Sequence, residues 1–378
     1  MKISRRKFMG STAAAAAASP LLFNASASAQ LAADDIDWGM GFPDGATLLN
    51  RNENPIGPSQ RAIEAAKVGV EKSFRYADSI LIKSLLAEHH DIEEDYILVG
   101  AGSGELLNIA PMITMSEPDH NMVATWESYR AVPGRVERLG HKVKWVHLLE
   151  EEKYEYNVDR LLAAVDENTR LLFMVTPNNP TGTILSFDDM HKLADGLPDH
   201  VLLIVDGAYT DFQDVDKDGI DLIKGGHKNI LVTRTFSKIY AMAGLRCGYG
   251  IGHPDVMKKI SRFGCGPTST NMAGFGAMAA SVGDTDHVKK SRDFVSRARA
   301  YYSSECDKLG LSYMAGPPNF FLAETGEYTD AIAAELRAQK IFVRPGAEWG
   351  MPNHTRISYG LDHENQTFFA ALKEILGA

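Results

Sequence analysis

The stretch VLLIVDGAY, residues 201–209, is a nearly continuous apolar run that ends at an aspartate. Apolar runs without alternation are typical of strands in a parallel sheet that is covered on both faces. A carboxylate at the end of such a strand would be costly without compensation, so Asp206 predicts a cationic partner nearby. Tyr209 follows three residues later. The segment therefore predicts a parallel sheet covered on both faces, and it predicts functional polar groups at the edge where this strand ends.

Similar apolar runs occur before and after this segment, and helical patterns separate them. The other predicted strands are residues 96–100, 121–126, 142–148, 169–177 and 230–237. Strands that alternate with helices indicate an α/β fold, here a three-layer α/β/α large domain with a mostly parallel sheet. From about residue 285 the chain reads as a long helix, three short strands and a closing helix, which predicts a smaller α+β domain.

The first 29 residues differ from the rest of the chain. A basic start, MKISRRKFMG, precedes a small apolar run and A-x-A-like sites, which are the three regions of a secretory signal. Residues 4–8 also resemble a twin-arginine signal. The alternative is a basic tail before a weakly apolar helix. We predict a signal peptide over residues 1–29, an N-terminal segment of the small domain over 30–75, a large domain over 76–284 and a small domain over 285–378.

Composition narrows the class of protein. The chain has 378 residues with 44% apolar and 23% charged side chains, an ordinary globular balance. Its formal net charge of −10 argues against a general nucleic-acid binder. No stretch after the signal reaches about 18 uninterrupted apolar residues, so we expect an exported, periplasmic and soluble mature protein without a membrane span. Cys247, Cys265 and Cys306 lack a C-x-x-C pattern, so we predict no disulfide framework and no metal.

Ligands of open parallel sheets bind at the carboxyl ends of the strands, so the residues that follow each strand are the candidates. Gly102, Ser103 and Gly104 form a glycine-rich turn before a helix, an arrangement that favours an anion. Trp126 offers a flat ring at the next strand end, although core packing is the alternative interpretation. Asn179 lies before a proline in TPNNPTG (176–182), which holds its amide on a rigid turn.

The segment TRTFSKIYAMAGLR, residues 233–246, supplies the remaining groups. Thr235, Ser237 and Arg246 offer hydroxyls and a guanidinium to a phosphate. Lys238 lies between them, and a partly buried lysine near cations has a lowered pKa and acts as a nucleophile. A phosphate cradle, a stacking ring, an amide, a carboxylate and an amine are together what pyridoxal 5′-phosphate requires.

With these motifs the chain resembles a known family, the fold-type I pyridoxal-phosphate enzymes of the class I/II aminotransferases. It is most similar to their histidinol-phosphate aminotransferase branch. The resemblance runs in family order over about residues 48–375, and it is carried by LNRNENPIGPS (49–59), FRYAD (74–78), GAGSGELL (100–107), TWESYRAV (125–132), TPNNPTG (176–182), VDGAY (205–209), TFSKIYAMAGLRCGYG (235–250), NFFL (319–322), VRPG (343–346) and TRISYG (355–360).

The resemblance implies a role for each matching position. Lys238 would form the Schiff base with the cofactor, and Asp206 would pair with its pyridine nitrogen. The remaining implied contacts are Asn179 and Tyr209 to the ring oxygen, Gly102, Ser103, Gly104, Thr235, Ser237 and Arg246 to the phosphate, Trp126 stacked on the ring, Tyr76 from the other subunit of a homodimer, and Arg356, Asn54 and Asn179 to the substrate.

The implied reaction moves an amino group between an amino acid, or a related amine, and a 2-oxo acid by a ping-pong mechanism. Two alternatives remain open: a racemase, decarboxylase or C–S lyase that uses the same cofactor, and a binding protein that has kept the fold. Export also argues against histidine biosynthesis, because that pathway belongs in the cytoplasm.

Two stretches depart from the expected pattern. Gly207 replaces the glutamate of the family's usual V-D-E-A-Y. The stretch DVDKDGIDL (214–222) matches the first half of an EF-hand loop, but Gly225 takes the place of its bidentate glutamate. We interpret it as an acidic surface loop, and calcium binding is the alternative.

Overall fold

The structure is a computed structural model that describes residues 41–264, 266 and 268–377. The predicted signal peptide lies outside these residues. The chain divides into two compact units, residues 1–44 and 45–378. Only residues 41–44 of the first unit are described, so the fold below is that of the second unit.

Strands and helices alternate along the described residues. The strands are β1 (Thr47–Leu48), β2 (Ile97–Gly100), β3 (Asn121–Thr125), β4 (Lys142–Val146), β5 (Thr169–Val175), β6 (Leu202–Asp206), β7 (Ile230–Thr235), β8 (Gly248–Gly252), β9 (Tyr313–Met314), β10 (Phe320–Glu324), β11 (Ile341–Phe342), β12 (Arg344–Pro345) and β13 (His354–Ser358). The helices are α1 (Gln60–Glu71), α2 (Ile80–His90), α3 (Ser103–Thr114), α4 (Ala131–Arg138), α5 (Val158–Ala163), α6 (Phe187–Gly196), α7 (Gly219–Lys224), α8 (Pro254–Ser261), α9 (Met272–Ser281), α10 (Thr285–Leu309), α11 (Thr329–Ala338) and α12 (Asp362–Leu376).

The central sheet has the strand order β2-β8-β7-β6-β5-β3-β4. Strands β4, β3, β5, β6 and β7 are parallel neighbours, and β8 pairs antiparallel with both β7 and β2. The mostly parallel sheet predicted from the sequence is therefore confirmed. The parallel strands end at one common edge, where Asp206 and Thr235 terminate β6 and β7.

Two separate apolar cores show that the central sheet is covered on both faces. Along β5, Leu172 and Met174 belong to one core, which they share with helices α2, α5, α6 and α7. The alternate residues Leu171 and Phe173 belong to the other core, which contains helices α3, α4 and α8. Since successive side chains of a strand point to opposite faces, this division gives three layers.

A second, antiparallel sheet of order β12-β13-β10-β9 packs on helices α10 and α12. Strand β1 pairs with β11, so the start of the described chain joins the C-terminal elements. Helix α1 instead packs against α9, next to the central sheet. The predicted boundaries at residues 75 and 284 both fall inside this one compact unit, and the division into a large and a small domain stays a prediction.

No helix among the described residues has the length and apolarity needed to cross a membrane.

Candidate active site

A cavity of 570 Å³ lies at the carboxyl ends of the parallel strands. Its wall brings together the side chains that the sequence placed after several different strands. The predicted site residues that line it are Ser103, Gly104, Asn179, Asp206, Tyr209, Thr235, Ser237, Lys238, Arg246 and Arg356.

Lys238 presents its amine to this cavity. Nζ donates hydrogen bonds to the backbone carbonyls of Asn52 at 2.9 Å and Arg51 at 3.1 Å. Burial, together with the positive charge of Arg356, lowers the pKa of Lys238 to about 8. Near neutral pH a sizeable fraction of this amine is therefore neutral, which a nucleophile or a proton acceptor requires.

Asp206 forms the acidic group at the end of β6. Its side chain is buried, and Thr233 on the neighbouring strand donates a hydrogen bond from Oγ1 to Oδ1 at 2.9 Å. Burial raises the pKa of Asp206 to about 6, while the Thr233 hydrogen bond and the charges of Arg234 and Lys238 oppose the rise. The carboxylate is thus ionised at neutral pH and available to a buried cation.

Tyr209 is fixed by a partner that the sequence analysis missed. Asn52 donates from Nδ2 to the Tyr209 hydroxyl at 2.9 Å, and Ser358 donates from Oγ to Asn52 Oδ1 at 3.1 Å. Burial raises the pKa of Tyr209 to about 12, so its hydroxyl stays protonated. Asn52 also lines the cavity and has a φ of 54°, a conformation that asparagine tolerates better than most residues.

The first turn of α3 and the side chain of Arg246 form a cradle suited to an anion. Gly102 caps the helix with a φ of 79° and has no side chain to bond the first N–H groups of the helix. A Cβ atom on Gly102 would lie 2.6 Å from Arg246 Nη2, so the close approach of the guanidinium requires glycine. Ser237 and Thr235 face the same place and are hydrogen bonded to each other at 2.9 Å. The backbone N–H groups of a helix N-terminus, the helix dipole and a guanidinium together favour a phosphate.

Arg356 supplies a second guanidinium to the cavity wall. Nη1 donates to Asn179 Oδ1 at 2.7 Å, and Nη2 donates to the backbone carbonyl of Asn50 at 2.6 Å. Its buried Nε has no hydrogen-bond partner among the described residues. Burial lowers the pKa of Arg356 to about 10, which leaves the group charged at neutral pH. A buried guanidinium with an unused donor suits a carboxylate ligand.

Trp126 does not line the cavity, which corrects the expectation that it stacks on a cofactor. Its backbone N–H continues the pairing with β4 by donating to Val146, and its ring meets the ring of Trp145 edge to face with centroids 4.9 Å apart. The guanidinium of Arg130 covers it at 3.7 Å. Tyr129, three residues later, is the aromatic side chain of this loop that faces the cavity.

Asn54 is also displaced from the role expected of it. Its Nδ2 atom bonds the backbone carbonyls of Lys238 at 3.1 Å and Ile239 at 3.2 Å, and Ser291 Oγ at 3.0 Å. Asn54 therefore holds the loop that carries Lys238 and does not line the cavity. Tyr76 is 89% exposed and lies outside the cavity of its own chain.

Several further residues that were not predicted from the sequence line the cavity, namely Asn50, Arg51, Asn52, Leu107, Tyr129, Arg130, Ala131, Val175, Ala208, Ala243, Arg344, Glu348 and Trp349. Most of them lie within the stretches that carried the family resemblance or directly beside them. That proximity was the available signal, but it does not say which side chain of a stretch faces inward.

Gly207 makes room for a buried arginine. A Cβ atom there would lie 1.5 Å from Nη1 of Arg234, whose guanidinium pairs with Asp218 at 2.5 Å. Asp218 also caps helix α7, and Asp214 pairs with Arg292 at 3.3 Å. The acidic stretch 214–222 thus directs two of its carboxylates to arginines.

Comparison with known proteins agrees with this geometry. The family "Aminotransferase class I and II" matches residues 44–372. Histidinol-phosphate aminotransferase 1 of Nitrosococcus oceani is 32% identical over 335 residues, which cover 88% of this chain and 89% of that protein. The enzyme from Rhodopseudomonas palustris is 33% identical over 336 residues, covering 87% of this chain and 90% of that protein.

A solved structure is similar over most of its length. The histidinol-phosphate aminotransferase from Sinorhizobium meliloti, in complex with pyridoxal-5′-phosphate, is 25% identical with a TM-score of 0.80. The similarity covers 87% of this chain and 90% of that one. The chain therefore belongs to the class I and II aminotransferases, which are pyridoxal-phosphate-dependent enzymes.

Proposed function

We propose that the 570 Å³ cavity binds pyridoxal phosphate and transfers an amino group between an amino acid, or a related amine, and a 2-oxo acid. One observation carries this proposal: the amine of Lys238, the buried carboxylate of Asp206 and the guanidinium of Arg356 line the same cavity. Their separation in the sequence makes a chance convergence of these three groups improbable.

The cavity residues fit the cofactor at each of its functional groups. When bound, pyridoxal phosphate supplies an aldehyde that takes up an amine and a ring that withdraws electrons from the substrate. Lys238 would attach the aldehyde, and Asp206 would pair with the ring nitrogen. Asn179 and Tyr209 would bond the ring oxygen, Tyr129 is the aromatic side chain available to the ring, and the phosphate would lie among Gly102, Ser103, Gly104, Thr235, Ser237 and Arg246.

Lys238 is proposed to move the proton once the substrate amine has displaced it. The carbonyls of Arg51 and Asn52 accept hydrogen bonds from its Nζ atom, so the amine keeps a defined position when it is not covalently engaged. The lowered pKa, near 8, lets this one group both accept a proton and return it near neutral pH.

Arg356 is proposed to orient the carboxylate that the amino acid and the 2-oxo acid have in common. Asn179 and the carbonyl of Asn50 fix the guanidinium from two sides. A fixed guanidinium binds a carboxylate with two parallel hydrogen bonds and so sets the substrate's orientation. The same residue would serve both half-reactions.

A half-reaction screen tests the proposed chemistry. Purified protein loaded with pyridoxal phosphate is mixed with single amines, histidinol phosphate among them, and the visible absorbance of the cofactor and the released product are followed. We expect the 2-oxo product, or the corresponding carbonyl compound, in an amount equimolar with the cofactor. When 2-oxoglutarate is the 2-oxo acid that takes up the amino group, we expect glutamate to form. Racemised, decarboxylated or thiol-eliminated product without the carbonyl product would instead support the other enzyme classes.

We also propose a homodimer with shared active sites. Apolar side chains cluster unburied at and after α1, with Phe74 77% exposed and Tyr76 89% exposed. Val70, Ile80 and Leu81, close to them in the sequence, are exposed as well. An apolar surface of this kind marks a protein interface, and Tyr76 would reach the phosphate of the other subunit.

Sedimentation and cofactor titration test the dimer. We expect a dimer in solution, and we expect Tyr76→Phe to weaken pyridoxal-phosphate binding without changing the sedimentation coefficient. The shared site would be contradicted if the wild-type protein were a monomer, or if Tyr76→Phe bound the cofactor as tightly as the wild type does.

Export is proposed from the basic and apolar pattern of residues 1–29. Cell fractionation tests it, because the double variant Arg5→Lys/Arg6→Lys should retain the chain in the cytoplasm. An unprocessed wild-type chain in the cytosol, unaffected by the double variant, would contradict export.

A further inference from the structure

Two histidines and an aspartate meet on the surface far from the cavity residues described above. His191 and Asp195 lie one turn apart on α6, and His227 lies in the turn that follows α7. Asp195 and His227 also line a groove of 800 Å³, together with Arg170 and Leu202 near the starts of β5 and β6. The cluster is therefore at the amino ends of the strands, whereas the active site is at their carboxyl ends.

The ligand atoms of the three side chains lie close together. His191 Nδ1 lies 3.0 Å from one oxygen of Asp195, and His227 Nε2 lies 3.5 Å from the other. All three ligating groups have an atom within 4.8 Å of the others. Ligand atoms that hold Zn²⁺ tetrahedrally at about 2.1 Å are separated from one another by about 3.4 Å. Two of the separations already match this value to within a few tenths of an ångström.

We propose that His191, Asp195 and His227 bind a divalent transition metal of the zinc class. Imidazole nitrogen and carboxylate oxygen are ligands that Zn²⁺ accepts, and three protein ligands leave a position for water or another donor. The side chains of His191 and Asp195 are 51% and 58% exposed, so an ion reaches them from solvent. His227 is 20% exposed and closes the inner side of the site.

The surrounding elements hold the ligands in place. The helical spacing of His191 and Asp195 puts both on one face of α6. His227 donates its backbone N–H to the carbonyl of Leu222 in α7, which fixes the turn. The nearby Lys192 directs its ammonium to Asp159 at 2.7 Å. A bound ion would therefore tie α6 to the end of α7.

Metal titration tests the proposal on tag-free protein loaded with pyridoxal phosphate and stripped with a chelator. Zn²⁺ is titrated by calorimetry, and Co²⁺ is titrated by visible absorption as a spectroscopic probe of the ligand set. We expect one ion per chain and a higher unfolding temperature with Zn²⁺. His191→Ala and Asp195→Asn should each weaken binding at least about tenfold, since even the loss of a ligand's hydrogen-bond partner typically costs 10- to 100-fold.

His200→Ala is the matched control, because His200 lines the same groove but is not one of the three ligands. It should bind Zn²⁺ as the wild type does. The proposal is overturned if the wild type binds neither ion, or if His191→Ala, Asp195→Asn and the control all bind with wild-type affinity. If His191→Ala and Asp195→Asn leave the visible absorbance of the cofactor unchanged, the active site is intact in these variants.

Discussion

The lowered pKa of Lys238 predicts how fast the cofactor-free protein takes up pyridoxal phosphate at different pH values. Burial and the charge of Arg356 lower this pKa from 10.5 to about 8. Only the neutral amine attacks an aldehyde, so the shift raises the reactive fraction at pH 7 about 300-fold. Asp206, with a pKa raised to about 6, is already ionised above pH 7 and does not obscure the change.

The perturbation is a pH series from 7 to 10, and stopped-flow absorbance measures the uptake rate. With a pKa near 8 the rate should rise about tenfold in total and level off, whereas an ordinary lysine would gain several hundredfold across the same interval. The free model amine Nα-acetyl-lysine amide, run in parallel, corrects for the ionisation of the cofactor itself. In Arg356→Gln the midpoint should move to higher pH, because the positive charge that lowers the lysine pKa is gone.

A rate that keeps rising tenfold per pH unit up to pH 10 would contradict a lysine pKa near 8. A midpoint that does not move in Arg356→Gln would refute the part assigned to that charge.

Three further predictions concern Gly207, Asp206 and Arg246. Gly207→Ala places a Cβ atom 1.5 Å from Arg234 Nη1 and should lower the free energy of unfolding by about 3 kcal/mol, because it breaks a buried ion pair. Urea unfolding measures this change. The control Gly244→Ala has open space around it, and its free energy of unfolding should change by less than about 1 kcal/mol. Asp206→Asn should lower kcat at least about 100-fold, and equal kcat values for variant and wild type would contradict this role. Wild-type activity should fall as the pH drops through about 6, because the raised pKa of Asp206 makes its carboxylate neutral there. Arg246→Ala should raise the Kd for pyridoxal phosphate at least about tenfold while pyridoxal without its phosphate binds unchanged, and fluorescence titration separates the two.

Much of the central sheet could be predicted from the sequence, because its parallel strands are short, buried apolar runs. Strand β8 was missed, since GYGIG carries three glycines and reads as a turn. The structure explains those glycines. A Cβ atom on Gly248 would lie 2.2 Å from the backbone nitrogen of Ser103, and one on Gly250 would lie 2.4 Å from a methyl of Leu106. Helix α3 therefore packs directly on the backbone of β8, which no local pattern reveals.

The site was predictable where a residue type alone is diagnostic. A lysine near hydroxyl side chains and an aspartate at a strand end each indicate a functional role from the sequence, and the structure brings Lys238 and Asp206 to one cavity. The choice between Trp126 and Tyr129 depends on how far the strand pairing continues past β3. Asn52 contributes through a positive φ and a contact to Tyr209, which is 157 residues away in the sequence. Such details depend on tertiary structure and lie beyond sequence patterns.

Gly207 illustrates a departure whose cause lies elsewhere in the chain. In the sequence it appeared as a lost charge beside Asp206. In the structure the charged neighbour is Arg234, which occupies the space that a side chain at position 207 would need. The replacement is therefore a matter of volume, coupled to an arginine on the adjacent strand and its partner Asp218.

The central claim is that Lys238 is the group that holds the cofactor and handles the proton. Borohydride reduction of the protein loaded with pyridoxal phosphate, followed by digestion and mass spectrometry, tests it most directly. We expect one pyridoxyl-phosphate group per chain on the peptide that contains Lys238, and none in Lys238→Ala. A modified peptide that contains a different lysine, or a wild-type protein with no stoichiometric modification, would contradict it.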